Sequence, residues 1–211
     1  MGLDVRLAAD QLARMRGMTA AYHRQFFSDT TVSTISALVL FIAGWAVAEE
    51  AFLLIPIVAL VGAVRTAFDA SYLMFARWYS RCLEDDLNRA AGRRILIASE
   101  IESSYLFELG SRKVVTVSLA GPFSWFTFVT IFYTASGIAV SAFAIALGWE
   151  VLFAAPAALA WSYLIVVAIL TAGALAAGSW WFIGGEGERR LQEAIESKYE
   201  PTSERQERTT P

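Results

Sequence analysis

No charged side chain interrupts VLFAAPAALAWSYLIVVAILTAGALAAGSWWFIGG, which occupies residues 151–185 and is thirty-five positions long. A helix needs about 20 predominantly apolar residues to cross the hydrocarbon core of a bilayer. Residues 114–149 form a second uncharged stretch, of thirty-six positions. Each stretch is long enough to cross a membrane, so these two segments predict an integral membrane protein.

The first half of the chain contains two further apolar stretches. Residues 31–48 and residues 51–64 carry no charge. The next two charged residues along the chain are Arg65 and Asp69. The whole chain has 18% charged residues, whereas soluble domains have about 25%. The sequence therefore predicts an all-α integral membrane protein with four transmembrane helices, at about 31–48, 51–72, 123–147 and 151–178.

Positive charges lie on one side of these spans. Of the 17 Lys and Arg residues, four precede residue 30, seven lie in 77–113 and five follow residue 188. The connections at 48–50 and 148–150 carry only acidic charges. Because Lys and Arg mark the cytoplasmic side, we expect both termini and the middle loop to be cytoplasmic. Arginine outnumbers lysine fifteen to two, a composition that we interpret as that of a bacterial protein. We therefore expect the protein in the plasma membrane.

The predicted organisation has six parts. They are an amphipathic cytoplasmic helix (1–28), a transmembrane hairpin (29–80), a cytoplasmic helix extension and loop (81–122), a second transmembrane hairpin (123–185), a short cytoplasmic helix (186–200) and a disordered tail (201–211). The first helix either binds the membrane surface or a partner, or packs on the protein's own cytoplasmic part. Ser28 or Asp29 is expected to cap the first transmembrane helix.

The second transmembrane helix is expected to continue into the cytosol. No glycine follows Gly62 before residue 92, which predicts one helix from residue 51 to about 88. Pro56 is expected to kink this helix, and Pro156 the fourth span.

Residues 95–119 allow two interpretations. VVTVSL (114–119) is rich in β-branched residues and, with YLFEL (105–109), flanks GSRK (110–113), which predicts a small β-hairpin. The alternative is a helix over 95–109 that ends at Gly110. We prefer the hairpin.

Residues that build common catalytic sites are scarce. His23 is the only histidine and Cys82 the only cysteine, whereas a zinc site needs three or four ligands. No phosphate-binding glycine motif is present either. A carboxylate metal site at Glu84, Asp85 and Asp86 is a weak alternative, because three consecutive acidic residues are usually solvated. We therefore expect no catalytic residue, metal, cofactor or nucleic-acid partner, and an enzyme is the less expected class.

Two later spans contain candidate sites. Thr134 belongs to a row of small and hydroxyl residues that repeats every three or four positions and so lies on one helix face: Thr127, Thr130, Thr134, Gly137 and Ser141. This row either lines a membrane pathway or allows close helix packing. In the fourth span, Trp161 is expected near mid-membrane, where with Tyr163 it forms a candidate aromatic surface or simply fills space.

Arg65 and Asp69 are four residues apart and form a candidate ion pair in the second span. At 1.5 Å per residue they lie about 22 Å and 28 Å from Glu50. Asp69 is thus expected at the cytoplasmic boundary and Arg65 about two turns inside it. An intramembrane charge is costly, so Arg65 either extends to the interface or serves a membrane pathway as an anion contact or gating charge.

The first half combines a basic amphipathic helix, two close spans and a projecting helix that ends in RWYSRCLEDDLN (77–88). In this layout it resembles the two-span bacterial effector membrane domains of the SLATT type, although the resemblance leaves the third and fourth spans unexplained. Our leading hypothesis is a non-enzymatic, self-associating membrane protein, a channel or pore-like effector, with the lipid bilayer and further copies of itself as partners. The alternatives are a membrane adaptor that binds a soluble cytoplasmic protein and, more weakly, a lipid-modifying enzyme.

Overall fold

The computed structural model describes residues 3–105, 113–114, 117–118 and 125–198. Its large elements are all helical. Two long antiparallel helices, α1 (Leu3–Ala46) and α2 (Ile55–Ala90), are joined by a 3-10 helix (Glu49–Leu54). The later elements are α3 (Ala98–Tyr105), β1 (Lys113–Val114), β2 (Val117–Ser118), α4 (Trp125–Leu147), α5 (Trp149–Ala154), α6 (Ala157–Gly178), a π-helix (Ser179–Ile183) and α7 (Glu186–Lys198).

Three helical segments are long and apolar enough to cross a membrane: Val5–Ala46, Glu49–Ala90 and Ala157–Ile183. A shorter apolar segment, Ile131–Leu147, lies in α4. The prediction of a helical chain with several segments able to cross a membrane is confirmed, and the predicted total of four spans is not confirmed.

Helix α2 is the centre of the arrangement, because α1, α4 and α6 all pack against it. One apolar cluster joins the 3-10 helix, the start of α2 and the end of α4. It consists of Phe52, Ile55 and Ala144. A second cluster joins α1, α2 and the π-helix at the other end of the apolar region: Phe26, Ala70, Leu73, Met74 and Phe182. The two clusters fix the register of the helices from end to end.

Helix α1 passes through the predicted boundary at residue 28 without interruption. The prediction that Ser28 or Asp29 caps a separate transmembrane helix is therefore wrong. Neither glycine nor proline occurs between residues 18 and 43, so nothing breaks the backbone there. The hydroxyl groups of Thr30 and Ser33 donate to the carbonyls of Phe26 and Asp29 one turn earlier, an arrangement that fits a helix interior.

The amphipathic start of α1 packs on the chain itself. Ala8 and Met15 are buried against Leu83 of α2, with Phe75 and Tyr79 beside them. Of the two interpretations of this segment, the packing on the protein's own helix is the one observed.

The second long helix is a single uninterrupted helix to Ala90, as predicted. Pro56 lies in its first turn rather than at a kink. Proline is tolerated there, because the first backbone N–H groups of a helix have no intrahelical acceptor to lose.

Pro156 ends a helix instead of kinking one. Ala155 has extended backbone angles and separates the short α5 from α6, because proline offers no N–H to continue the ladder of α5. The predicted fourth span at 151–178 is therefore wrong in its start, and the long apolar helix runs from Ala157 to Ile183.

The middle loop contains elements of both interpretations. Helix α3 covers part of the alternative helix at 95–109. Strands β1 and β2 pair antiparallel, Lys113 with Ser118 and Val114 with Val117. This short ladder does not confirm the predicted hairpin, because Lys113 of the predicted turn belongs to β1. Tyr105 of the predicted first strand ends α3, and the rest of that strand, at 106–109, lies outside the described residues, as does the tail at 201–211.

Candidate functional site

Arg65 forms its ion pair across helices, with Asp29 of α1. Its Nε lies 2.9 Å from Asp29 Oδ2, and Gln25 Nε2 donates to Asp29 Oδ1 at 3.0 Å. The salt bridge predicted with Asp69, four residues along the same helix, is not the one found. Sequence reasoning missed Asp29 because its position opposite Arg65 depends on the α1–α2 register, which no local pattern reveals.

Asp69 is buried, as is Asp29, whereas Arg65 is exposed. Asp69 is 5% exposed, and the Arg65 side chain is 60% exposed. The Asp69 carboxyl group faces that of Asp29 within hydrogen-bonding reach. Among the described residues, no hydrogen-bond donor reaches its Oδ2. We call Asp29, Arg65 and Asp69 the inner triad.

The inner triad lies near one end of the apolar region. Asp29 is about 26 Å from Ala46 along α1 at 1.5 Å per residue, close to the roughly 30 Å thickness of a bilayer core. Next to the triad, Phe182 of the π-helix packs on Phe26 and Ala70. The triad thus lies where the apolar surface of α1 and α2 gives way to a charged one.

The hydroxyl row of α4 is open within one chain. Thr134 is exposed, Ser141 is half-buried, and a Cβ added at Gly137 would meet nothing within 4 Å. Thr127 and Thr130 lie outside the residues whose side chains are described. In the described part of the row, no neighbouring side chain fills the space beside Gly137.

The candidate aromatic surface does not form as one surface. The Tyr163 hydroxyl donates to the Leu53 carbonyl at 2.6 Å, which ties α6 to the 3-10 helix. Trp161 is exposed and packs edge-on against Phe153, with ring centroids 6.1 Å apart. Because α6 begins at Ala157, Trp161 lies near the start of the helix rather than at mid-span. Interfacial tryptophans commonly occupy such positions.

A second group of charges, which the sequence did not reveal, joins the helices beyond the apolar region. Arg16 of α1 forms ion pairs with Glu84 of α2 and Glu102 of α3. Arg77 Nε lies 3.4 Å from Glu102 Oε2, and Glu84 Oε2 accepts the Ser99 backbone N–H at 3.0 Å. We call these residues the buried ionic cluster. Arg77 is 1% exposed and Glu84 2%.

The three consecutive acidic residues of α2 do not share one environment. Glu84 and Asp86 are buried, and Asp85 is exposed. The expectation that all three are solvated is wrong, because one side of the helix faces α1 and α3. Within the described residues, no group of three or more His, Cys, Asp or Glu side chains is placed to hold a metal ion.

Compared with known protein families, curated proteins and solved structures, the chain has no match. The functional argument therefore rests on the inner triad, the buried ionic cluster and the surfaces around them.

Proposed function

We propose that the protein is a non-enzymatic, self-associating membrane protein that forms a polar membrane pathway between its subunits. In this proposal α1, α2, α4 and α6 are four transmembrane helices, both termini are cytoplasmic, and the α1–α2 pair projects into the cytosol. The positive charge of the termini and middle loop supports this orientation.

The observation that carries the proposal is the exposure of Arg65. Its side chain is 60% exposed within an exposed apolar row on the membrane part of α2, formed by Ile57, Val61, Val64 and Phe68. A charged side chain that faces hydrocarbon is costly, and Asp29 neutralises Arg65 from only one side. Contact with water or with another subunit removes this cost.

The open face of α4 supports the same proposal. Thr134 is exposed, and the space beside Gly137 is unoccupied. Hydroxyl groups and small residues favour both helix association and polar pathways in membranes. Four helices enclose little space on their own, so a pathway would require several subunits.

Two measurements on the full-length protein test this function. The particle mass in detergent should correspond to several chains, and a strictly monomeric particle would contradict self-association. Ion flux through reconstituted liposomes should fall when Arg65 is replaced by alanine. Arg81→Ala is the matched control, since Arg81 is an exposed arginine of the projecting part of the same helix. Equal flux in the wild type and in both variants would remove Arg65 from the pathway.

A membrane adaptor is the second candidate, favoured by exposed apolar side chains in the segment that follows α2. Ile95, Ile97 and Ile101 are all exposed, and we call them the isoleucine patch. The backbone N–H of Ser99 in this segment donates to Glu84, which lies about 22 Å along α2 from Asp69, so the patch would be beyond the bilayer surface. Exposed apolar side chains in such a place fit a soluble partner.

The adaptor hypothesis predicts that the isoleucine patch binds a soluble protein. Capture of a partner by the wild type and its loss in an Ile97→Ser, Ile101→Ser double variant, with unchanged ion flux, would favour the adaptor over the pathway. A lipid-modifying enzyme remains the weakest proposal, and no arrangement of the described residues adds support to it.

A further inference from the structure

We propose that Asp29 and Asp69 form a binding site for one exchangeable proton, held between α1 and α2, with Arg65 as the counter-charge. The site does not depend on self-association, because all three side chains belong to one chain.

The first argument is the contact between the two carboxyl groups. Asp29 is 8% exposed and Asp69 5%, and their side chains face one another within hydrogen-bonding reach. Two carboxylates accept hydrogen bonds and cannot donate them. A hydrogen bond between them therefore requires a proton on one of the two.

The second argument is the unequal supply of donors. Arg65 reaches Asp29 Oδ2 and Gln25 reaches Asp29 Oδ1, so both oxygens of that carboxylate are satisfied as acceptors. No donor among the described residues reaches Asp69 Oδ2. An ionised and unpartnered carboxylate in a buried position is far more costly than a neutral carboxyl group. This asymmetry assigns the proton to Asp69, which donates it to Asp29.

The third argument is charge balance. Two carboxylates and one guanidinium carry a net charge of −1, and one proton brings the triad to zero. Of the elements that pack on α2, α4, α6 and the π-helix contain no charged residue. Helices α3 and α7 also pack on α2, but Glu102 of α3 pairs with Arg16 and Arg77, and Glu186 of α7 pairs with arginines of its own helix. On α1 the nearest other charge is Arg24, which lies five positions before Asp29 and so on another face of the helix.

The exposed Arg65 side chain gives the site a route to its surroundings. Its Nε contacts Asp29 Oδ2 while most of the side chain is exposed. Movement of Arg65 away from Asp29 would open that carboxylate to solvent and allow the proton to exchange. The triad can thus couple the position of one arginine to the loading of one proton.

Infrared spectroscopy of the full-length protein tests this assignment. In maltoside detergent, which has no ester carbonyl, the carbonyl stretch of a protonated carboxyl group is resolved from the bands of ionised Asp and Glu. At neutral pH the wild type should show one such band, and transfer to heavy water should shift it. Asp69→Asn and Asp29→Asn should each remove the band. Asp85→Asn, at an exposed aspartate of the same helix, should retain it.

The test uses both aspartate variants so that misfolding of one of them does not decide the result. If Asp69→Asn changes the elution volume of the particle, Asp29→Asn probes the same proton from α1. Absence of the band in the wild type, or its persistence in a folded Asp69→Asn variant, would overturn the proposal. A band that sodium chloride removes at constant pH, while choline chloride does not, would assign the site to a sodium ion and would also overturn it.

Discussion

The two halves of the α1–α2 pair are held together in opposite ways. Between the 3-10 helix and the inner triad, the helices approach closely at two glycines, and many large apolar side chains are exposed. At Gly44 the α1 backbone lies directly against the Phe52 ring, and at Gly62 the α2 backbone lies against Ser33. Beyond the triad, Arg77, Glu84 and Asp86 are buried between the helices.

The proposed membrane placement explains the difference between the halves. In lipid, apolar side chains gain nothing by turning inward, so close backbone approach provides the contact. In water, apolar side chains are buried, and the charges that accompany them must be paired. On this placement, the inner triad lies at the boundary between the half of the helix pair that faces lipid and the half that faces water.

The largest expected effect comes from breaking the buried ionic cluster. Glu84→Ala leaves Arg16 and the Ser99 N–H without their shared acceptor. Removal of one partner from a buried ion pair costs about 3–5 kcal/mol. We expect a large fall in the thermal unfolding temperature of the detergent-solubilised protein. Asp85→Ala, one position along but exposed, should change it little. A similar fall in both variants would contradict the proposed contribution of the cluster.

A smaller effect is expected from filling the glycine contact in the apolar half. A Cβ at Gly44 would lie 2.6 Å from the buried Phe52 ring, and overpacking of this kind costs about 1–3 kcal/mol. The Gly44→Ala variant should therefore unfold at a lower temperature than the wild type.

Gly173→Ala is the matched control for this contact. A Cβ at Gly173 meets nothing within 4 Å, and alanine is the better helix former by about 0.8–1.0 kcal/mol. Its unfolding temperature should stay the same or rise. If Gly173→Ala is as harmful as Gly44→Ala, another subunit covers that face of α6.

Asn88 holds the chain that leaves α2. Its Oδ1 accepts the N–H groups of Ile95 and Leu96, and its Nδ2 donates to the Leu96 carbonyl, all at 2.8 Å. Asn88→Ala should cost about 1 kcal/mol for these bonds and speed tryptic cleavage at Arg93 and Arg94. Asn88→Asp keeps the acceptor and should be cleaved more slowly than Asn88→Ala. Equal cleavage in all three proteins would show that other contacts order this segment.

The smallest expected effect is a pH response at the exposed end of the molecule. Hydrogen bonds from Arg189 and Arg190 lower the pKa of Glu186. A lowered carboxyl pKa stabilises the folded helix at neutral pH, and this contribution is lost as the pH falls through that pKa. Hydrogen exchange in α7, corrected for the intrinsic effect of pH, should rise slightly in acid. Glu186→Gln should lack this rise, and a rise that persists in that variant would assign the response to another group.

The sequence predicted the elements that depend on local chemistry. The length of the uncharged stretches identified the apolar helices, and the absence of glycine and proline predicted that α2 continues without a break to its end. Pro56 and Pro156 were both predicted to kink a helix, and both predictions were wrong. Pro56 lies in the first turn of α2, and Pro156 follows the end of α5. Proline occurs at helix starts, kinks and breaks alike, so its presence in the sequence does not distinguish them.

The inner triad could be predicted only in part. Arg65 and Asp69 were recognised as unusual because charges are rare in apolar segments. Their environments were not predicted, since the burial of Asp69 and the pairing of Arg65 with Asp29 depend on which face of α2 meets α1. The same limit hid Glu84 and Arg77, whose burial follows from long-range packing rather than from their neighbours in sequence.

The most direct test of self-association through the Arg65 face is disulfide cross-linking in native membranes. In a Cys82→Ser background, Phe68→Cys places a thiol on the exposed row of α2 beside Arg65, and Ile169→Cys places one on the exposed surface of α6. The account predicts cross-linked dimers from Phe68→Cys and far fewer from Ile169→Cys. No cross-linked product from Phe68→Cys, or equal yields from both positions, would contradict it.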